Sequence, residues 1–163
     1  MLTIRLAKIL MIAAVGAFAF MVTYDNIVDY GSNYEFVRHT LSMDTTFANN
    51  VLKSRAITSP TILSLAYGVI IAIELLTGLF LALGALRLAL ALRASAIDFN
   101  AAKTLVVLGF GLGFLLWFTG FLVVGGEWFA MWQSKDWNGV PSAFRFDVVL
   151  LLVLIFVMQK DTE

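Results

Sequence analysis

Residues 59–87 read SPTILSLAYGVIIAIELLTGLFLALGALR, and this stretch decides the fold of the chain. It is longer than the roughly 20 residues that a helix needs to cross a hydrocarbon core of about 30 Å. Ser59 is a residue type that caps helix N-termini, and Pro60 is well tolerated at the first helical position. We therefore predict a transmembrane helix over about residues 60–87, with Glu74 as its one acidic residue.

Three other apolar stretches are flanked by charged residues, and they predict spans at about residues 5–25, 103–127 and 141–159. The first follows a short basic segment, which is also typical of a signal peptide, but we expect an uncleaved anchor. The fourth carries Arg145 and Asp147 in its first turns. Such side chains require an interfacial or protein-buried position there.

The composition of the 163 residues agrees with a membrane protein, because 61% are hydrophobic and 13% are charged. A soluble domain has about half apolar and about a quarter charged residues. The mean hydropathy is +0.91. We predict an all-α fold, a four-helix transmembrane bundle that forms one membrane domain over residues 1–163 and has the lipid bilayer as its surroundings.

Charge and residue usage exclude several function classes. Eleven basic and eleven acidic residues balance, so no basic face is expected for nucleic acid. The absence of cysteine excludes disulfides, iron–sulfur clusters and a thiol nucleophile in this chain. His39 is the single histidine, which is too few for a haem held by two histidines. We assign no catalytic residue, no metal ligand and no cofactor.

An even number of spans places both termini on one side of the membrane. The positive-inside rule favours the cytoplasm for that side of a bacterial inner membrane, with the bias carried by Arg5, Lys8, Arg87, Arg93 and Lys103. The opposite loops carry nearly as many basic residues, so the bias is modest.

Two polar segments, residues 25–59 and 127–147, then lie together on the outer face. In the first, Tyr34, Val37 and Leu41 recur at helical spacing, which predicts a short amphipathic helix at the interface. The second is rich in tryptophan. We call these two segments the cap, and we expect them to cover the mouth of the bundle.

The charges of the cap are balanced, which predicts salt bridges between the two segments. A metal site formed by His39, Met43 and Asp44 is a weaker alternative, as is catalysis by a hydroxyl beside His39. The candidate cap residues are Asp29, Arg38, His39, Asp44, Arg55, Trp128, Trp132, Asp136, Trp137 and Arg145.

Glu74 is the residue that packing alone does not explain. It lies about fourteen residues into the second span, which predicts a position near the bilayer midplane. A carboxyl group there must be protonated, paired or in contact with water. Tyr67 and Gly78 share its helical face, so another helix can approach at this point. The open alternatives are a hydrogen bond that joins two helices, a proton relay and a cation site.

Small residues at four-residue spacing indicate close helix packing. Gly109 and Gly113 form one such pair in the third span, and Ala13 and Ala17 form another in the first span. No Pro-interrupted inverted repeat is evident, which disfavours a typical secondary transporter.

Several motifs resemble an uncharacterised bacterial family of predicted small integral membrane proteins, and the resemblance covers almost the whole chain. It implies a four-span inner-membrane protein with two outer segments, and it implies no reaction. The family often has a tryptophan where this chain has Lys53 and Ser54. The motifs are Asp29-Tyr30-Gly31 with Asn33, Phe36-Val37-Arg38-His39, residues 42–47, Arg55-Ala56-Ile57, Glu74, residues 131–134, Trp137-Asn138-Gly139 and Phe144-Arg145.

Two functions are consistent with these observations. Sparse catalytic residue types and abundant packing glycines favour a non-catalytic accessory or assembly subunit, which would bind other membrane subunits or further copies of itself. The alternative is a protein that binds or transports a quinone, a lipid or a cation in a cavity under the cap, close to Tyr67 and Glu74.

Overall fold

A computed structural model describes residues 2–162, and four of its helices are long and apolar enough to cross a membrane. They run over Leu2–Val28, Pro60–Leu90, Ala96–Trp128 and Val140–Met158. No strand occurs in the described part of the chain. The expected four-helix bundle is therefore confirmed.

The first span is helix α1, Leu2–Val28, and a kink at Asp29 separates it from the shorter helix α2, Tyr30–Ser42. Helix α2 buries Val37 and Thr40, and only its first residues, Tyr30–Ser32, are exposed. A 3₁₀ turn at Val51–Arg55 completes the first outer segment.

The second span is α3, Pro60–Leu90, and its 31 residues make it longer than a bilayer requires. It begins at the proline that the sequence indicates. The Ser59 side chain, however, makes no capping hydrogen bond, and Ser59 contributes its backbone carbonyl, which accepts from the Leu63 N–H at 3.0 Å.

The third span consists of three consecutive helical pieces, α4 (Ala96–Ala101), α5 (Thr104–Phe114) and a π-helical stretch over Leu115–Trp128. The Ser95 hydroxyl caps its start by accepting from the Asp98 N–H at 3.2 Å. π-Helices are rare and occur frequently at functional sites. The glycines and phenylalanines of this span predict close helix packing, but they do not predict the π-helical geometry.

The fourth span is α6, Val140–Met158, and a 3₁₀ turn at Met131–Gln133 precedes it. Helix α1 packs along α3, α3 along α5, and α6 along α5 and the π-helical stretch. Lys8 of α1 meets Asp161 at one end of the bundle, the terminal end, and the two outer segments meet at the other, the cap end.

Glycines permit the closest helix contacts. A Cβ atom added to Gly109 would lie 2.8 Å from Leu81, and one added to Gly113 would lie 3.2–3.3 Å from Leu150, Thr77 and Trp117. The interpretation of this pair as a packing seam is confirmed. The interpretation of Ala13 and Ala17 as a packing pair inside the bundle is wrong, because both alanines lie on the exposed face of α1. Gly16 packs against α3 and Ala19 is buried, while Ala13 and Ala17 are exposed on the outer face of α1.

Candidate functional site

Three polar side chains from α1 and α3 form a hydrogen-bonded group inside the bundle. The Asn26 side-chain amide donates to Glu74 Oε2 at 2.7 Å. The Tyr67 hydroxyl donates to the Asn26 backbone carbonyl oxygen at 2.9 Å and lies 3.2 Å from the Asn26 side-chain oxygen Oδ1. Glu74 is 2% exposed and Tyr67 is buried. Asn26 is the partner of Glu74 that sequence reasoning missed. Asn26 follows Asp25 in the last turn of α1, just beyond the predicted end of the first span at about residue 25, so no sequence signal marked it as a partner inside the bundle.

Glu74 contacts helix α1 at the cap end of that helix. Its partner Asn26 belongs to the last turn of α1, which ends at Val28. The first turns of α3 lie against α2, since Tyr67 packs on the rings of Tyr30 and Tyr34. Glu74 is therefore level with the last turn of α1, and its depth in the bilayer stays a prediction.

A cavity of about 300 Å³ opens beside Glu74. Within residues 2–162, Glu74 is the one charged residue that lines it, and its Oε1 atom has no hydrogen-bond partner. The neutral polar lining residues are Asn26, Asn33, Asn138 and Ser142, and the aromatic ones are Phe36, Tyr67, Trp117, Phe121 and Phe146.

The cavity is accessible from the cap end and closed toward the terminal end. Asn138 and Ser142 of its lining are exposed, whereas Trp117 at its inner part is buried. Below Glu74 the bundle interior is filled by apolar side chains, among them Leu81 and Phe110. The exposed part of the cavity lining therefore lies toward the cap end.

The two outer segments fold onto each other above this cavity. The Thr45 hydroxyl donates to Ser134 Oγ at 2.9 Å, and the Phe47 N–H donates to Gln133 Oε1 at 3.2 Å. Arg55 donates to the Trp128 carbonyl oxygen at 3.1 Å. The cap is thus one structure built from both segments.

Aromatic contacts contribute as much to the cap as hydrogen bonds do. The His39 ring stacks on Trp137 with centroids 4.6 Å apart, and Phe47 meets Trp132 edge to face at 5.9 Å. The guanidinium of Arg55 lies 4.3 Å from the centroid of the Trp128 ring. Cation–π and stacking contacts of this kind stabilise by about 0.5–1.5 kcal/mol each.

A small apolar cluster joins the segments as well. Met43 and Ala130, one from each segment, are both buried in it and both have left-handed backbone conformations, with φ of 53° and 52°. This conformation is disfavoured for residues with a side chain. Two strained residues in a shared cluster show that packing between the segments fixes their conformations.

Salt bridges between the segments do not form, which corrects the prediction from charge balance. Arg38 pairs with Asp44 at 3.4 Å, and this pair lies within the first segment. Arg55 binds a carbonyl and a ring instead of a carboxylate. The remaining charged side chains are exposed on the protein surface, where pairing contributes little. Within residues 2–162, no salt bridge forms at Asp29, Asp136 or Arg145.

The ionic group that does form is local to α2. Arg38 donates to Glu35 Oε2 at 2.7 Å, and His39 Nδ1 lies 2.9 Å from both oxygens of Asp44. Hydrogen bonding to Glu35 raises the pKa of Arg38. Partial burial alone raises the pKa of Asp44, but hydrogen bonding and attraction from His39 outweigh it, so the pKa lies below its ordinary value.

Met43 does not complete a metal site with this histidine. Its side chain is buried in the apolar cluster, whereas His39 binds Asp44 and stacks on Trp137. No group of three or more His, Asp or Glu side chains suited to a metal ion occurs in residues 2–162.

The architecture and the whole-chain extent of the motifs point to one family. Residues 4–160 match the family model described as "Predicted small integral membrane protein (DUF2165)". The chain belongs to this family. The resemblance of the sequence motifs is thereby confirmed. Comparison with curated proteins and with solved structures finds no match.

At the terminal end of this DUF2165 protein, a second buried polar group holds the two termini together. Lys8 Nζ donates to Asp161 Oδ2 at 2.7 Å, and Lys103 Nζ donates to the same oxygen at 2.9 Å. Both lysines also donate to the Gln159 carbonyl oxygen. Burial alone raises the pKa of Asp161, but the hydrogen bonds from the two lysines outweigh it and hold the pKa below its ordinary value.

Asp147 is the second carboxyl group enclosed by the spans of this family member. It is 3% exposed, and neither of its oxygens has a hydrogen-bond partner among residues 2–162. Arg145, two residues earlier, is exposed. Asp147 near the start of α6 is therefore protein-buried, and Arg145 lies on the surface of the bundle.

Proposed function

We propose that the protein binds a small organic cation in the cavity under the cap, with Glu74 as its counter-ion. The observation that supports this most directly is the cavity lining, in which one carboxyl group is surrounded by aromatic rings and neutral polar side chains. Aromatic faces attract ammonium groups by about 0.5–2 kcal/mol each, and quaternary ammonium ligands are recognised in this way.

The free carboxyl oxygen of Glu74 provides the electrostatic part of the interaction. Oε2 accepts from Asn26, and Oε1 has no partner among the described residues. A buried carboxylate without a cationic partner is unfavourable, so a bound cation stabilises the charged form. The ligand is thereby selected for positive charge and not for shape alone.

Asn26 allows the site to exchange a proton for a cation. Its amide donates to the carboxylate in the observed arrangement. After rotation, the amide oxygen can accept from a protonated carboxyl group, because asparagine carries both a donor and an acceptor. Protons and cations therefore compete for Glu74 while the hydrogen bond to Asn26 is kept.

Direct binding of tetramethylammonium tests this proposal. Isothermal titration in uncharged maltoside micelles should give saturable binding, and Glu74→Gln should weaken it by about tenfold or more, equivalent to about 1.4 kcal/mol. Glu127→Gln removes an exposed carboxyl group from the cap end of the third span and serves as the control. Equal affinity in wild type and Glu74→Gln would refute the counter-ion role.

The accessory-subunit or homo-oligomer hypothesis is the second candidate, and one observation favours it. Ala13 and Ala17 form a small-residue pair on the membrane face of α1, where a helix of another subunit or copy can approach closely. Native mass spectrometry after mild extraction tests this. Ala13→Leu should dissociate any assembly that uses the face, and a monomeric mass for wild type argues against it.

For orientation, we propose an inner-membrane protein with cytoplasmic termini and a periplasmic cap. The basic side chains of Arg5, Lys8 and Lys103 at the terminal end support this direction. Single cysteines at Ser32 and Ser95 test it with an impermeant thiol reagent, because both positions are exposed. Ser32→Cys should react from the periplasm and Ser95→Cys should not.

Ser134 is a further candidate position for a single cysteine at the cap end. Ser134 is buried and accepts from Thr45, so a cysteine there is a poor probe of topology. Lys135 is exposed beside it and is the suitable replacement. Labelling of Ser95→Cys from the periplasm, or protection of Lys135→Cys from the reagent, would show that the orientation is opposite to the proposed one.

A further inference from the structure

A second cavity lies directly beside the Glu74 cavity and faces the membrane. Its volume is about 290 Å³, and it lies between α3 and the π-helical stretch, under α2. Val69 and Val124 on its rim are 56% and 40% exposed, and both belong to membrane spans. Its lining is apolar apart from Thr40. We call it the lipid-facing groove.

The groove and the Glu74 cavity share a wall. Phe36, Val37, Ile70 and Phe121 line both spaces. The rings of Phe36 and Phe121 stack with centroids 6.1 Å apart, and both approach the position that a Cβ atom on Gly139 would occupy. The partition therefore includes two aromatic side chains, which can change rotamer without any helix moving.

The chemistry of the two spaces is complementary along one molecule. One holds a carboxyl group among polar and aromatic side chains, and the other offers apolar side chains that are open to lipid. We propose that the ligand is a cationic amphiphile, with its ammonium headgroup in the Glu74 cavity and its hydrocarbon tail in the lipid-facing groove. This inference rests on the proposed function and adds the tail.

The groove geometry favours a tail over a protein segment as the occupant. The groove is bounded on three sides by this chain's own helices, and its open side lies between membrane spans, where hydrocarbon is the surrounding medium. An irregular peptide at that depth would leave backbone groups unsatisfied, whereas an alkyl chain carries none.

A photolabel tests the placement of head and tail together. The probe is a dodecyltrimethylammonium with a diazirine at the end of its chain, applied to the full-length protein in maltoside micelles. Peptide mapping should find adducts on α3 around Ala66–Ile70 and on the π-helical stretch around Gly120–Gly125. Excess tetramethylammonium and Glu74→Gln should each reduce the yield about tenfold.

Matched variants separate the groove from the general membrane surface. Ala66→Phe fills the groove and should abolish the adducts, whereas Leu65→Phe adds the same ring at an exposed neighbouring position outside it. If Ala66→Phe fails to fold, Gly120→Leu is the second groove variant, since its new Cβ would meet only Leu116 at 3.7 Å. Leu65→Phe should leave labelling unchanged.

The outcomes distinguish this inference from the proposed function. A dodecyl sulfate probe that labels the groove equally well, or labelling that ignores Glu74, would mean that the groove accepts any hydrocarbon, and the amphiphile inference would be wrong. Tetramethylammonium binding that depends on Glu74, with tail adducts elsewhere, would leave the cation site intact and remove only the tail. Failure of tetramethylammonium to bind would overturn both.

Discussion

Replacing Gly109 by alanine tests the closest contact between α3 and α5. The added Cβ atom would lie 2.8 Å from Leu81 Cγ and Cδ2 and 3.1 Å from the Leu81 backbone nitrogen. A change in the Leu81 side-chain rotamer cannot relieve the contact with the Leu81 backbone nitrogen. Overpacking of this kind costs about 1–3 kcal/mol.

Gly111→Ala is the matched control in the same helix, because a Cβ atom there meets nothing within 4 Å. Both substitutions gain about 1 kcal/mol of helix propensity, so the difference between them isolates the contact at Leu81. We expect Gly109→Ala to be less stable than Gly111→Ala by about 1–3 kcal/mol.

Thermal unfolding in maltoside micelles measures this difference. A change of 1 kcal/mol shifts the melting temperature by about 2–4 °C in a chain of this size, so Gly109→Ala should melt several degrees below Gly111→Ala. Equal melting temperatures, or a larger loss in Gly111→Ala, would show that α3 and α5 do not approach at Gly109.

Three further predictions concern other parts of the protein. Asp161→Asn should lower stability at pH 7 by about 3–5 kcal/mol because it leaves Lys8 and Lys103 without a buried partner. Because the pKa of Asp161 is lowered in the folded state, the stability advantage of wild type persists from neutral pH down to the ordinary carboxyl range and disappears as the pH falls through the folded pKa. Melting curves at pH 7 and pH 3 measure this change. Ala130→Gly should stabilise the cap by up to about 1 kcal/mol because glycine tolerates its φ of 52°, and a lower melting temperature would contradict this. Glu74→Gln should keep its hydrogen bond to Asn26 and its stability, whereas Glu74→Ala should lose about 1–3 kcal/mol; a destabilised Gln variant with a stable Ala variant would reverse the expectation.

The spans could be predicted because their information is local. The apolar run after Pro60 exceeds the bilayer thickness by itself, and α3 begins at that residue. The π-helical stretch over Leu115–Trp128 could not be predicted in this way. Its hydrogen bonds depend on how the third span packs, and its composition is also that of an ordinary membrane helix.

The partners of buried polar residues depend on contacts between distant parts of the chain. Glu74 is evident in the sequence because a carboxyl group is rare in a span. Asn26 is its partner only because α1 ends at that level of α3. The sequence identifies Lys8 and Lys103 only as topology markers, because their shared contact with Asp161 requires that both ends of the chain pack together.

The cap shows the same division between residue type and geometry. Its tryptophans indicated an interfacial structure, and His39 does stack on Trp137. The expected salt bridges between the two segments do not form, because charge balance in the sequence does not determine which charged side chains are buried. Arg55 instead contacts the Trp128 ring and the Trp128 backbone carbonyl, while Asp136 and Arg145 are exposed on the protein surface.

Charge selectivity at the cavity mouth tests the central claim most directly. The chain lacks cysteine, and Ser142 lines the cavity and is exposed, so Ser142→Cys is a unique probe. We expect a trimethylammonium-ethyl methanethiosulfonate to react there faster than its sulfonate analogue by on the order of tenfold, relative to the same ratio at Ser32→Cys outside the cavity. Addition of Glu74→Gln should remove this preference, and tetramethylammonium should slow the reaction. Equal selectivity at Ser142→Cys with and without Glu74 would contradict a cation site in the cavity.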